Sequence, residues 1–168
     1  MKFNDIPRFP NIHYSVHVSW SSLDDQIERY IVEHKLIMNP DFQRGHVWTE
    51  KQQIEYVEFM LKIPFSGQHI YLNHPGWMGS FKGEFVLVDG LQRLTTALKF
   101  IHNELKAYGH FYKEFEGRLP SDVNFIFNIG KLQTRKDVLK WYLDFNAGGT
   151  PHSSEEIKRV QELWEESK

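Results

Sequence analysis

One stretch, residues 86–100, constrains the fold most, because an apolar run breaks at Asp89-Gly90 and then resumes with helical spacing. The residues from Phe85 to Val88 predict a short buried strand. One buried helix face is predicted by the three- and four-residue steps between Leu91, Leu94, Leu98 and Ile101. The chain must therefore turn sharply from a strand into a helix, and Gly90 gives the backbone the freedom to do so.

The turn at Gly90 has the properties of a phosphate-binding site. A helix that begins there offers unpaired amide hydrogens and the positive end of its dipole to an anion. Arg93, in the first helical turn, adds a planar and permanently charged fork that can hold two oxygens at once. The alternative is an ordinary strand-to-helix turn with a surface arginine, since such turns are common.

Composition indicates one compact domain and excludes several kinds of site. A chain of 168 residues that is 40% hydrophobic and 15% aromatic can fill a sizeable core. There is no cysteine, which excludes a disulfide scaffold, a cysteine-ligated zinc site and thiol catalysis. The formal net charge of -2 gives no global basic field, so any contact with nucleic acid must use a local patch.

The N-terminal sequence contains no apolar core of signal-peptide length, and no later stretch approaches the roughly 18 to 20 apolar residues of a membrane span. We therefore expect a cytoplasmic protein with no membrane partner.

Strand and helix patterns alternate along the chain, which predicts an α/β fold. Strands are predicted at residues 13–20, 36–38, 69–72, 85–88 and 124–129, and helices at about 22–34, 49–62, 91–101, 136–145 and 154–164. Turn residues dominate the segment from Asn73 to Gly83, which is predicted to be a hairpin loop. Trp77 in this loop is a candidate for an exposed ring that binds a base or a partner.

Two further motifs accompany the Asp89 turn. Residues 39–48 (NPDFQRGHVW) place a second Gln-Arg pair at the boundary of a helix, and residues 144–156 (DFNAGGTPHSSEE) follow near the C terminus. In this order and spacing, the three motifs resemble the DUF262 domain found at the N terminus of GmrS-type, modification-dependent restriction proteins. The resemblance runs from roughly Ser15 to Val160.

The resemblance implies a ParB/sulfiredoxin-like fold, an α/β (α+β) domain with a small mixed sheet flanked by helices, in which the two Gln-Arg turns meet at one cleft. Leu91 replaces the first Gln of the family's usual Asp-Gly-Gln-Gln-Arg signature and is expected to face the core. Long relatives carry a His-Asn-His nuclease domain after this one. Because the chain stops at Lys168, we expect residues 1–168 to form a single domain without a C-terminal nuclease.

The resemblance also implies roles for individual residues in binding and hydrolysing a nucleoside triphosphate. Gly90 would allow close backbone approach to a phosphate, while Arg93 and Arg44 would pair with its oxygens and Gln43 would make a polar contact. Gln92 would orient a water or bond to a phosphate or base. Asp89 would hold Mg²⁺ or the attacking water. The implied catalytic set is Asp89, Gln92 and Arg93.

Several of these residues have a purely structural alternative. Arg44 could form a salt bridge with Asp89 and simply hold the two turns together. His46, beside Arg44, is a candidate for acid-base chemistry or phosphate contact, or else a packed or surface side chain. Asn146 fits a helix C-terminal turn with Gly148-Gly149, and the alternative is a loop that lines the cleft.

Three function classes remain open. The first is a GmrS-type nucleoside-triphosphate hydrolase linked to DNA restriction, acting with a nuclease on another chain. The second is a ParB-like DNA-binding or nuclease module, for which the sequence offers only a dispersed basic group, Lys131, Arg135, Lys136 and Lys140. The third is a stand-alone interaction protein, with a defence or counter-defence role, that binds nucleotide without turnover. The sequence does not separate binding from hydrolysis.

Overall fold

The computed structural model describes residues 14–43, 45, 47–146 and 154–167. The strands are β1 (Tyr14–Ser19), β2 (His69–Asn73), β3 (Val86–Asp89) and β4 (Asn124–Gly130). The helices are α1 (Leu23–His34), α2 (Glu50–Lys62), α3 (Leu91–Ile101), α4 (Arg135–Asn146) and α5 (Ser154–Glu166), with short 3₁₀ turns at Trp20–Ser22 and Tyr112–Glu114. Within these ranges, no helix is long and apolar enough to cross a membrane.

The four strands form one mixed sheet in the order β1-β4-β2-β3. β1 runs antiparallel to β4, β4 parallel to β2, and β2 antiparallel to β3. The predicted α/β class with a small mixed sheet is thus confirmed, as is the hairpin between β2 and β3. The predicted strand at residues 36–38 is reduced to a single bridge between Ile37 and Val86, because only Ile37 exchanges backbone hydrogen bonds with the edge of β3.

Alternation along the strands divides the buried side chains between two cores. Leu87 points into the first core, together with Ile70, Leu72, Phe125, Phe127 and apolar residues of α1, α2 and α3. Val86 and Val88 point the other way, into a second core that includes Phe42, Leu132, Leu139, Tyr142 and Val160. Leu91 is buried in the first core, as its sequence context predicted. Helices therefore pack on both faces of the sheet.

Among the described residues, the second core covers only part of this face of the sheet. On β1 and β4 this face carries polar residues, and they bond to one another rather than to a helix. Ser15 Oγ donates to Asn128 Oδ1 at 3.1 Å, and His17 Nδ1 lies 3.2 Å from Asn124 Oδ1. The face is therefore apolar beneath α4 and polar towards β1.

Helix α2 begins in a capping box that fixes the end of the preceding loop. The Thr49 hydroxyl accepts from Gln52 N, and Gln52 Oε1 accepts from Thr49 N at 2.9 Å. These bonds satisfy amides that a helix start leaves unpaired. Just before the cap, half-buried Trp48 packs against Tyr56 of α2.

The hairpin loop between β2 and β3 folds around an aromatic cluster. Trp77 is 5% exposed and packs against Tyr30, His34, Phe81 and Phe85, which corrects the expectation of an exposed ring. His74 is also buried, and its Nδ1 accepts from Gly76 N at 3.1 Å. Burial, together with the neighbouring His34, lowers the pKa of His74.

The lowered pKa of His74 predicts a pH-dependent stability. Its neutral form is favoured in the folded state, so this contribution is complete above the ordinary value of 6.5 and is lost as the pH falls through the lower folded-state pKa. In H74N, an amide oxygen can still accept from Gly76 N but does not titrate. Urea unfolding at pH 7.5 and 5.5 should show a smaller loss of unfolding free energy for H74N than for the wild type.

The matched control is H17N, which removes an exposed histidine whose Nδ1 lies 3.2 Å from the neutral side-chain amide of Asn124. This variant should keep the pH dependence of the wild type. Equal pH dependence in the wild type and H74N would show that the loop histidine does not contribute.

Candidate functional site

A bulge in β3 determines where the Asp89 side chain lies. Tyr71 of β2 pairs with Asp89, but the next residue, Leu72, pairs with Leu87, so Val88 has no partner across the hairpin. An extra residue of this kind twists a strand and re-aims the side chains beside it. Asp89 and Tyr71 are consequently direct neighbours at the end of the sheet, next to the start of α3.

Gly90 connects β3 to α3 in a conformation that other residues avoid. Its φ is +110°, and a Cβ at this position would lie 2.5 Å from Ile70 Cδ1. The glycine is therefore required by the turn itself and by its contact with β2. This steric need is independent of any ligand.

Gln92 joins the first turn of α3 to the loop before α2. Its Oε1 accepts from Val47 N at 2.8 Å and Trp48 N at 3.1 Å, while its Nε2 donates to Gly45 O at 3.0 Å. Both ends of the side-chain amide are thus engaged with backbone. The geometry makes Gln92 a clamp that holds this loop against the helix start.

Gln43 makes a second tie between the same regions. Its side chain is 8% exposed, and Nε2 donates to Leu87 O of β3. The Gln43 carbonyl accepts from Arg159 Nη2 of α5 at 3.2 Å. The two turns therefore lie against each other. We call this region the turn junction, and it consists of Gln43, Gly45, Val47, Trp48 and the residues from Leu87 to Arg93.

The charged pair of the turn junction is Asp89 and Arg93. Arg93 Nη2 donates to Asp89 Oδ2 across one helical turn, and the side chains are 23% and 32% exposed for Arg93 and Asp89 respectively. Burial raises the pKa of Tyr71, with Asp89 adding to the rise and Arg93 opposing it. Burial also raises the pKa of Tyr56, again opposed by Arg93. Arg93 therefore lies within electrostatic range of both tyrosines, and the pair is only partly exposed to solvent.

The structure brings together Gln43, Asp89, Gly90, Gln92 and Arg93 of the predicted site. Arg44 and His46 lie outside the described residues, and the alternative salt bridge from Arg44 to Asp89 thus stays a prediction. Asn146 is the last residue of α4, but its side chain and the Gly148-Gly149 segment also lie outside the described residues. The binding and catalytic roles of all these residues remain predictions.

Asp89 has the chemistry of a magnesium ligand but is not part of a larger acidic cluster. Within the described ranges, no three His, Asp or Glu side chains gather to hold a metal ion. A lone, one-third exposed carboxylate fits Mg²⁺ only where phosphates and water supply the remaining ligands. The residues present therefore suit an ion that arrives with a triphosphate.

The basic group on and before α4 does not form an open stripe. Arg135 Nη2 donates to both carboxylate oxygens of Asp41 at 2.6 and 2.7 Å and also lies near Glu84. The Lys136 ammonium lies 4.6 Å from the centre of the Trp164 ring. These contacts occupy the charges locally and weaken the support for a DNA-binding face.

The sequence patterns did not identify two aromatic side chains that lie beside the turn junction, Tyr71 and His69. Tyr71 packs against Phe145 of α4, with ring centres 4.5 Å apart, and lies parallel to His69 at 5.9 Å. The signal available was the alternation along β2, which puts His69 and Tyr71 on one face of the sheet. No local pattern indicates that Asp89 lies beside them, because this depends on the bulge at Val88.

Comparison with known proteins gives one family. The sequence model of the GmrSD restriction endonuclease, N-terminal domain, matches residues 23–126. This range includes the motif at residues 39–48 and the Asp89 turn. Neither the curated proteins nor the solved structures provide a match.

Replacing Gly90 should destabilise the domain. G90A would place a Cβ in a positive-φ conformation and against Ile70, at a cost of about 1–3 kcal/mol. Urea unfolding measures this loss. G79A is the matched control, because a Cβ there would meet only Gly76 O at 3.7 Å. Similar midpoints for the two variants would contradict the steric role of Gly90.

Removing the Gln92 side chain should free the loop before α2. In Q92A, the amides of Val47 and Trp48 lose their acceptor, and their hydrogen exchange should accelerate while that of the β4 amides does not change. Q133A removes a surface glutamine that bonds to Lys131 O and Pro75 O, and it should leave Val47 and Trp48 unaffected. Unchanged exchange at both amides in Q92A would refute the clamp.

Proposed function

The chain belongs to the family of N-terminal domains of GmrSD restriction endonucleases, and we propose that, as a module of a restriction system, it binds a nucleoside triphosphate at the turn junction. The observation that carries this proposal is the partly exposed Asp89–Arg93 pair at the start of α3. A helix start with an arginine suits an anion, and a neighbouring carboxylate suits a divalent cation.

The ion pair makes the proposed site selective for a charged ligand that brings its own cation. In the structure, Asp89 and Arg93 neutralise each other. A bare triphosphate would have to compete with the Asp89 carboxylate for the Arg93 guanidinium. A triphosphate that carries Mg²⁺ would offer phosphate oxygens to Arg93 and a cation to Asp89, so that both charges regain a partner.

Hydrolysis is the further step of the proposal. Mg²⁺, where it binds with the triphosphate, supplies charge neutralisation and polarises phosphate oxygens. Arg93 would stabilise charge on the transferred phosphoryl group, and Asp89 would orient the attacking water. Gln92 acts as a positioning residue in this scheme, because its amide holds the loop at residues 45–48 against α3.

Binding and phosphate-release measurements also distinguish the other two function classes, a DNA-binding module and an interaction protein. Retardation of DNA by the protein, without binding of mononucleotides, would favour the DNA-binding module. Binding of a nucleotide without phosphate release would favour an interaction protein that senses nucleotide, acting beside a nuclease-bearing partner.

Substitutions in the ion pair should have opposite effects on nucleotide binding. Isothermal titration with the four ribonucleoside triphosphates should show at least about a tenfold loss of affinity in R93A, which removes charge-assisted bonds to phosphate. D89N frees Arg93 and removes a negative charge, so it should bind at least as tightly as the wild type without Mg²⁺. With Mg²⁺, D89N should lose the gain in affinity that the wild type shows, and it should release no phosphate.

R29A provides the matched control, because Arg29 is an exposed arginine of α1 that bonds to Gln26. It should bind nucleotide like the wild type. Absence of triphosphate binding by the wild type would overturn the proposal and leave Asp89–Arg93 as a structural ion pair. Equal affinities of the wild type and R93A would exclude the turn junction as the phosphate site.

A further inference from the structure

The sheet face beside the turn junction carries two parallel rings. His69 and Tyr71 lie two residues apart on β2, with ring centres 5.9 Å apart and planes inclined by 17°. Phe145 and Trp141 of α4 also contact Tyr71, with ring centres 4.5 and 6.1 Å away. His69 is exposed, whereas Tyr71 is half-buried. The packed Tyr71 ring therefore stands next to an accessible His69 ring.

A chain of hydrogen bonds across three strands holds the His69 ring in place. Ser15 Oγ of β1 donates to Asn128 Oδ1 of β4 at 3.1 Å, which fixes the orientation of the Asn128 amide. The amide nitrogen then donates to Ile126 O at 2.9 Å and to His69 Nδ1 at 3.1 Å. Because Nδ1 accepts, the neutral His69 ring carries its proton on Nε2.

Within the part of the chain that the structure describes, the Nε2–H group of His69 has no acceptor. Among the described residues, no hydrogen bond or ion pair reaches this nitrogen, although Nδ1 on the other side of the ring is bonded to Asn128. The His69 ring is exposed, whereas its partner Asn128 is largely buried, so the ring is held by a group that is itself fixed in the sheet. The arrangement offers both a stacking surface and a hydrogen bond.

These rings adjoin the proposed phosphate site. Tyr71 pairs across the hairpin with Asp89, and its pKa reflects the charges of both Asp89 and Arg93. Arg93 at the start of α3 thus contacts Asp89 at the end of β3, and Asp89 neighbours Tyr71 on β2, two residues from His69. A ligand with phosphates at Arg93 and a flat aromatic group at His69 would cover these residues.

We propose that His69 and Tyr71 form the base-binding platform for the nucleoside triphosphate, with His69 Nε2–H donating to an acceptor on the base edge. This inference rests on the proposed function, because the phosphates bound at Arg93 place the base over His69. Stacking on an aromatic ring tolerates any base, so preference among bases would come from the single donor. Asn128 is a positioning residue, since it acts through the His69 ring.

The test compares two probes, nucleoside triphosphates and inorganic tripolyphosphate, by isothermal titration with Mg²⁺. H69A should weaken binding of the best-bound triphosphate by about tenfold and leave tripolyphosphate binding unchanged. H69F keeps a ring but no donor, and should restore much of the affinity while reducing the difference between bases. H17A is the control, because His17 is on the same sheet face but bonds to Asn124.

Asn128 supplies a second readout that a merely structural role would not give. N128A should weaken triphosphate binding when residue 69 is His, and should have no effect on it in the H69F background. In the wild type, the ring protons of His69 should move upfield in NMR spectra on addition of the triphosphate but not of tripolyphosphate.

The outcomes separate this inference from the proposed function. Binding of tripolyphosphate and triphosphates with equal affinity, unaffected by H69A, would overturn the platform and keep the phosphate site. Failure of the wild type to bind either probe would overturn both. Binding of a single-stranded oligonucleotide that depends on His69, without binding of mononucleotides, would overturn the free nucleotide as the occupant.

Discussion

The turn from β3 into α3 is the constraint on which the rest of the site depends. Gly90 reaches a φ of +110° with its Cα hydrogens against Ile70, where any side chain would collide. This close approach sets the start of α3 at the end of the sheet. From there Gln92 reaches the loop before α2, and Arg93 reaches back to Asp89. A single backbone conformation thus determines where both polar contacts form.

Side-chain amides, rather than buried charges, tie the loops of this fold to its strands and helices. Gln43 and Gln92 tie loops to strand and helix, and Asn73 does the same for the chain after β4 by exchanging hydrogen bonds with Leu132. An amide can donate and accept at once without the desolvation cost of an ion. The charges at Asp89 and Arg93 remain partly exposed.

Much of the fold could be predicted because its patterns are local. The apolar run of β3 and the spacing of leucines in α3 predict these two elements, and Gly90 between them predicts the turn. The features that could not be predicted from the sequence depend on pairing between strands that are distant in the chain. The bulge at Val88 moves Asp89 beside Tyr71, and the order β1-β4-β2-β3 brings Ser15 within reach of His69 through Asn128. Trp77 was misjudged for the same reason, since the glycines around it suggest an open loop, whereas α1 provides its partners.

Two residues in and near the third sequence motif, at residues 144–156, contact residues of the site region. Phe145, on its N-terminal side, packs on Tyr71, and Arg159, just beyond its C-terminal side, bonds to the Gln43 carbonyl. Both anchors belong to helices of the folded domain. The entropy of bringing the two ends of residues 147–153 together is therefore a term in the free energy of folding and not in that of ligand binding.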